Sequence, residues 1–421
     1  MGTEFPSRSG RSSTRRGFLA AGAAGLAATA GCTGSADGGD DVVRIGVLED
    51  RSGDFALNGT SKWQTSVLAV EEINESGGIL GKEIELFDPD PQSDNQRYQE
   101  LTRRLIQREN VDALWAGYSS AARETIRPLI NQHDQLYFYT TQYEGGVCDS
   151  TIFPVGATAR QQLGAVVPYL IEEYGPRIYT IAADYNFGQI SGDWVRILAE
   201  ENGAEVIGEE FIPLDVSQFG ATINRIQQAD PDFVMSMLVG QNHTSFYDQR
   251  ASAGLDVPIG SSTTMAQGYE HRRLGPPALS DMYVGVNYME EIGTPESDEF
   301  VSRFYDRWPD APYLNQEAQN NYFSIHMYAE AAERAGTTDQ EAVIEELEKG
   351  VTIDAPEGTI ELDGDTHHMN HHMRIGHADA NHELTFGEEQ YIGAGFLEEV
   401  GCSLPDEPET TQYLPEEEYD L

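Results

Sequence analysis

From Val42 onward the chain alternates short apolar runs with amphipathic helical stretches, and this alternation restricts the fold more than any single residue does. Val42–Leu48 reads as a strand, and the helix after it carries Trp63, Val67, Val70 and Ile73 on one face. That helix stops at Asn74-Glu75-Ser76-Gly77-Gly78, where glycine can take the left-handed C-cap conformation. A strand at Glu83–Phe87, a helix at 95–109, a strand at 113–117, a helix at 121–132 and a strand at 136–139 complete a first series. A second follows Gly156-Ala157-Thr158: helix 161–174, strand Arg177–Ala183, helix 190–202, strand 205–213, helix 219–229 and strand 233–238. Strict alternation implies parallel crossover units, hence an α/β protein of doubly wound sheets. The 421 residues exceed one typical core, so two domains are expected. Helices near 297–308, 317–335 and 339–349 and an extended stretch at 351–361 are too few for a third domain and should return to complete the first two. The reading is one lobe from 42–157 with 288–352, a second from 158–287 with 353–404, and an acidic tail at 405–421 with little to pack.

The N-terminus reads as an address. Thr14-Arg15-Arg16-Gly17-Phe18-Leu19 resembles a twin-arginine export signal, and Ala28-Thr29-Ala30-Gly31-Cys32 resembles a lipobox, which would make 1–31 a signal peptide and Cys32 a lipidated first residue. The apolar run between them is shorter than the roughly 20 residues a membrane span needs. Residues 32–41 carry almost no apolar content and read as a flexible tether. From Cys32 on, 70 acidic residues face 22 basic ones, a formal charge of −48, and only Lys62, Lys82 and Lys349 are lysines. Such a surface repels itself unless salt shortens the Debye length to roughly 3 Å at 1 M, so the composition looks like that of an extreme halophile's protein. It would also repel the phosphates of nucleic acid.

Gly59, then Ala69-Val70-Glu71-Glu72-Ile73-Asn74, Gly77-Gly78-Ile79-Leu80-Gly81-Lys82-Glu83-Ile84-Glu85-Leu86 and Ser93-Asp94 together resemble the opening of type I extracytoplasmic solute-binding proteins of ABC importers. The resemblance implies two doubly wound lobes joined by three crossovers, closing on a ligand held between them. Within that superfamily, Tyr139-Thr140-Thr141-Gln142-Tyr143-Glu144-Gly145 with Phe153-Pro154-Val155-Gly156-Ala157 resembles the urea and short-chain amide branch. Asp184-Tyr185-Asn186-Phe187, Phe211-Ile212-Pro213-Leu214, Val239-Gly240, Thr263-Thr264 and Asp354-Ala355-Pro356-Glu357-Gly358 extend the likeness over about 42–400. Phe187 stands where amide sensors place a second tyrosine, and Gly188-Gln189 replaces an expected Pro-Arg pair. Ligands of open parallel sheets sit beyond the C-terminal strand ends. The site implied is therefore Tyr118, Ser119, Ser120, Tyr139, Thr140, Thr141 and Gln142 from one lobe, and Tyr185, Phe187, Gly240 and Thr264 from the other. Hydroxyls and ring tips of this kind suit a small uncharged ligand without an ion pair. Glu144 either accepts amide N–H groups or caps the following turn.

An amino-acid receptor of the same fold stays open, as does a membrane-tethered amide sensor, since fold alone does not separate transport from sensing. No Gly-x-Ser-x-Gly elbow, His-Glu-x-x-His helix or Walker loop is present, so a binding protein without catalytic residues or cofactor is expected rather than an enzyme. Its partners would be a small ligand and an ABC permease, with the membrane reached through the lipid anchor alone. His367, His368, His371 and His372 crowd one segment, but no complementary Cys or carboxylate spacing completes a metal set, and a polar hairpin is the plainer reading. Cys148 and Cys402 could pair in an exported protein, although two buried thiols is the plainer reading of so few cysteines.

Overall fold

The computed structural model describes residues 42–405, 408 and 410–419. The export signal at 1–31, Cys32 and the 32–41 tether lie outside the described residues. Lobe 1 opens with β1 (Val42–Leu48), α1 (Ala56–Glu75), β2 (Glu83–Phe87), α2 (Asn95–Arg104), β3 (Ala113–Ala116), α3 (Ser120–Gln132) and β4 (Tyr137–Tyr139). A short β5 (Val147–Asp149) leaves the sheet before β6 (Ile152–Pro154) returns to it. The order β2-β1-β3-β4-β6 is parallel throughout, as alternation with helices requires. Side chains alternate across it: Val43, Ile45, Val47, Trp115 and Phe138 enter one core, while Leu48, Leu114, Tyr137 and Tyr139 enter the other.

Lobe 2 repeats the plan. It contains α4 (Ala159–Tyr174), β7 (Arg177–Ala183), α5 (Asn186–Glu201), β8 (Glu205–Ile212), α6 (Gly220–Ala229) and β9 (Phe233–Met237). Then come α7 (Gln241–Ala253), β10 (Ile259–Ser261), the one-turn α8 (Glu270–Arg273) and β11 (Met282–Val286). Strands β11-β10-β9-β7-β8 are parallel neighbours, so the expected pair of doubly wound α/β sheets is what the chain forms. The chain then returns through α9 (Pro295–Arg307), α10 (Gln316–Ala335) and α11 (Gln340–Leu347), whose Phe300, Phe304, Tyr328 and Val343 join the lobe 1 core.

The lobe boundary differs from the expected 352/353. After β12 (Thr352–Ala355) and β13 (Gly358–Asp363), Ile353, Ile360 and Leu362 still pack in the lobe 1 core. The change of lobe falls inside β14 (His368–Ala378), which pairs with β13 at Glu361↔Asn370 and with β11 from Val286↔Arg374 to Met282↔Ala378. One long strand therefore serves both sheets, a continuity that local patterning does not report. Three passages join the lobes: 155–158, 287–294 and β14.

Four local expectations are also corrected. The helix expected over 95–109 is α-helical only to Arg104, and Leu105–Glu109 forms a wider π turn. On α1 the deepest face is Lys62, Thr65, Ser66 and Ala69, whereas Trp63 and Val67 are only half-buried. Within lobe 2, β15 (Leu384–Phe386) and β16 (Gln390–Ile392) pair with β14, and α12 (Phe396–Glu399) follows; the acidic tail beyond 405 packs as well, its β17 (Thr410–Gln412) pairing with β5. The tail's α13 (Pro415–Glu418) lies on α5, where Tyr419 meets Trp194 edge-on. Cys148 and Cys402 are joined in a disulfide rather than free, buried with Leu397 and Leu404. Among the described residues no helix is long and apolar enough to cross a membrane.

Candidate functional site: the cleft between the lobes

The loops after β3, β4, β7 and β9 meet between the lobes. Three helices start there, α3 at Ser120, α5 at Asn186 and α7 at Gln241, and their N-terminal ends favour an acceptor such as a carbonyl oxygen. Gly240, with φ of 65°, opens α7 in a backbone region that other residues strain to reach. Tyr118, Ser120, Tyr139, Thr141 and Gln142 of lobe 1 enclose an inner chamber with Tyr185, Phe187, Val239 and Gln267 of lobe 2. Its volume, about 10 Å³, holds about one water, so anything larger enters only when the lobes part. Outside it lies a vestibule of about 630 Å³ bordered by Asp54, Phe55, Ser119, Tyr185, Leu214 and Gly240. A side chamber of about 100 Å³ faces Asp54, Asn58, Tyr118, Gly240, His243 and Glu270.

Nine of the eleven residues expected at the site thus border one of these spaces; Thr140 and Thr264 do not. The Thr140 hydroxyl bonds Asn321 Oδ1 at the hinge. Thr264 Oγ1 lies 2.6 Å from the Tyr247 hydroxyl and 3.0 Å from Ser261 Oγ, inside lobe 2. Ser119 borders the vestibule, but its Oγ caps α3 by accepting from Ala122 N–H at 3.1 Å. Tyr139 donates its hydroxyl to Tyr118 C=O at 3.0 Å.

Glu144 takes neither role expected of it. It pairs at 2.6 Å with Arg123, fully buried between the Tyr139 and Tyr143 rings, and also accepts from Ser120 Oγ. Asn186 Nδ2 reaches the same carboxylate at 2.9 Å and Trp194 Nε1 the Glu144 carbonyl at 3.0 Å, so α5 of lobe 2 is bound to the loop after β4. The histidines are also spoken for separately. His367 stacks on Phe153, His368 contacts the Tyr143 hydroxyl, His371 lies 2.8 Å from Glu357 and His372 2.8 Å from Thr359 C=O. His367 closes the turn and the other three lie on β14 of the antiparallel β13–β14 hairpin, the polar hairpin expected, and among the described residues no three His, Cys, Asp or Glu side chains gather as a metal site.

Two buried groups behind the chamber escaped the sequence reading. Lys62 Nζ, wholly buried, donates to Thr141 Oγ1 at 2.9 Å and Gly117 C=O at 3.3 Å and pairs with Glu49 at 2.9 Å. Burial pushes the Glu49 carboxyl up to about 7 against the pull of Lys62. The available signal was a rare lysine on a helix face otherwise made of Ser61, Thr65 and Ser66. The second group opens α10, where Asn315, Gln316, Glu317, Gln319, Asn320 and Asn321 are all buried. Glu317 Oε1 accepts from Gln267 Nε2 at 2.7 Å and Gln316 Nε2 at 3.3 Å, and Gln316 Nε2 also donates to Gln142 Oε1 at 2.9 Å. Helix polarity on every face was the overlooked signal, since a packed helix of that kind needs polar partners.

Burial pushes the Glu317 carboxyl up to about 7. A folded-state value above the unfolded one stabilises the fold at pH below about 4.5, and that contribution is lost as pH rises through 7. The shift corresponds to on the order of 3 kcal/mol. Denaturant titrations at pH 5 and pH 8 should therefore show Glu317→Gln losing less stability across this window than the parent, by about that amount. Equal losses in both proteins would mean that Glu317 titrates normally.

Two α/β lobes joined by three passages, with polar loops facing a closable cleft, define a bilobal protein that encloses a small solute. The chain belongs to the periplasmic binding protein family, whose model matches residues 42–383. It is 21% identical over 343 residues to "Leu/Ile/Val-binding protein homolog 6" of Brucella abortus (strain 2308), covering 80% of this chain and 87% of that one. Among solved structures, the fold is similar to a Rhodopseudomonas palustris BisB5 solute-binding protein of an ABC transporter in complex with 3,4-dihydroxybenzoic acid. That match has a TM-score of 0.74 at 19% identity, covering 84% of this chain and 97% of that one. It is similar as well to the branched-chain amino acid substrate-binding protein LivJ of Streptococcus pneumoniae in complex with isoleucine, at TM-score 0.71 and 18% identity, covering 83% and 99%.

Proposed function

We propose that this chain is an extracytoplasmic receptor that captures urea or a short-chain amide between its lobes and delivers it to an ABC permease. The observation that carries the reading is the lining of the inner chamber: four aromatic rings, one valine, a serine and a threonine hydroxyl, two carboxamides and, among the described residues, no charged side chain. A small neutral ligand meets donors and acceptors there without leaving a buried charge unpaired. The carboxylate nearest in sequence, Glu144, is taken by Arg123. In this reading the twin-arginine and lipobox segments export and anchor the chain through Cys32, and the charge of −48 suits molar salt.

A branched-chain amino-acid receptor is the second reading. The name of the Brucella relative favours it, as do Asp54 and Glu270 at the side chamber, which could meet an α-ammonium group. Calorimetry in molar salt with urea, acetamide, formamide and leucine separates the two. Saturable amide binding is expected; leucine binding tighter than urea would reject the amide reading. Tyr185 reaches the ligand only from lobe 2, so Tyr185→Ala should weaken amide binding about tenfold or more by removing a contact made solely in the closed form. Unchanged affinity in a folded Tyr185→Ala protein would place the ligand elsewhere.

A further inference from the structure

Two glutamines, one on each lobe, face the inner chamber: Gln142 and Gln267. A carboxamide side chain can present either its oxygen or its nitrogen, so what such a wall offers depends on what stands behind it. Behind Gln267 stands Glu317, which above its raised pKa of about 7 is a carboxylate that only accepts. Glu317 Oε1 therefore takes Gln267 Nε2, at 2.7 Å, and the Gln267 oxygen is left for the chamber. The same carboxylate oxygen draws Gln316 Nε2 at 3.3 Å, and that nitrogen also donates to Gln142 Oε1 at 2.9 Å. With its oxygen held by Gln316, Gln142 has its nitrogen left over, and among the described residues this buried Nε2 has no hydrogen-bond partner.

Resting on the amide reading above, we propose that Glu317 is a positioning residue that sets both glutamines so that the chamber presents one donor, Gln142 Nε2–H, and one acceptor, Gln267 Oε1. That pair is complementary to a primary carboxamide or ureide: its C=O accepts from Gln142 while its N–H donates to Gln267. Because the donor belongs to lobe 1 and the acceptor to lobe 2, only a ligand carrying both groups side by side bridges the lobes. An ester of the same shape has the carbonyl but lacks the N–H, so it leaves the Gln267 oxygen without a partner in a closed, dry chamber.

The test is calorimetry on the full chain at pH 8 in molar salt with acetamide and methyl acetate as titrants. The parent should bind acetamide at least about tenfold tighter than methyl acetate, the scale expected for leaving a buried acceptor unpaired. Gln267→Met should lose about tenfold for acetamide and leave methyl acetate nearly unchanged. Glu317→Gln, isosteric but able to donate as well as accept, should narrow the acetamide-to-ester ratio, whereas a purely structural role would weaken both ligands in proportion. A parent that binds acetamide and methyl acetate equally, or a Gln267→Met protein that keeps the parent's selectivity, overturns the donor–acceptor assignment and leaves the amide reading standing. A parent that binds leucine but neither acetamide nor urea overturns both.

Discussion

Glu144→Ala is expected to lower the unfolding free energy by about 3–5 kcal/mol, the range for stripping the partner from a buried ion pair. The cost does not come from the attraction between the charges, which desolvation largely offsets. It comes from Arg123, which is wholly buried and would keep Glu124 as its only carboxylate, a side chain open to solvent. Its guanidinium sits 4.9 and 4.8 Å from the Tyr139 and Tyr143 ring centres, an environment that does not replace a carboxylate. The substitution also frees Asn186 from its 2.9 Å contact and loosens α5 against the loop after β4. Denaturant unfolding measures the loss. The double variant Arg123→Met/Glu144→Leu should recover much of it, because no charge is then left behind. A single-variant loss below about 1 kcal/mol would mean that water reaches Arg123.

Removing the Cys148–Cys402 disulfide by Cys148→Ser/Cys402→Ser is expected to cost about 2–5 kcal/mol. The link closes a loop with a sequence separation of 254, and chain-entropy arguments give long loops the larger effects. It also secures a joint that has few other supports. β5 lies off the lobe 1 sheet and is held by three residues of β17, by Arg127 pairing with Asp149 at 3.0 Å, and by Arg127 donating to Thr411 C=O at 2.9 Å. Denaturant melts of parent and variant without reductant give the difference. Adding dithiothreitol should then bring the parent down to the variant and leave the variant unmoved. Coincident melts without reductant would show that the tail contributes nothing to global stability.

Much of the fold was legible because it is written in local pattern. Val42–Leu48, Glu83–Phe87 and Arg177–Ala183 are strands with the bounds that their apolar runs suggest, and a single helix between consecutive strands supplies the crossover that parallel pairing needs. The site was legible to the level of loops: Tyr118, Tyr139 and Tyr185 follow strand ends, and strand ends of doubly wound sheets face the cleft. Which side chain within a loop faces inward was less so, since Thr140 and Thr141 are neighbours of the same type and one turns to Asn321 while the other meets Lys62. The lobe boundary escaped because β12 and β13 carry ordinary strand patterns, and nothing local says which core receives Ile353 and Ile360.

By itself, then, the sequence determined the order of strands and helices, their parallel pairing into two lobes and the loops that carry the cleft, since each follows from periodicity and turn chemistry over a few residues. Tertiary structure alone decided the contacts that join distant segments. Lys62 meets Thr141, Arg123 meets Glu144, Gln267 meets Glu317, and Cys148 meets Cys402. A charge or carboxamide looks the same in sequence whether it is solvated or buried, and only the fold removes the water and supplies the partner that burial requires.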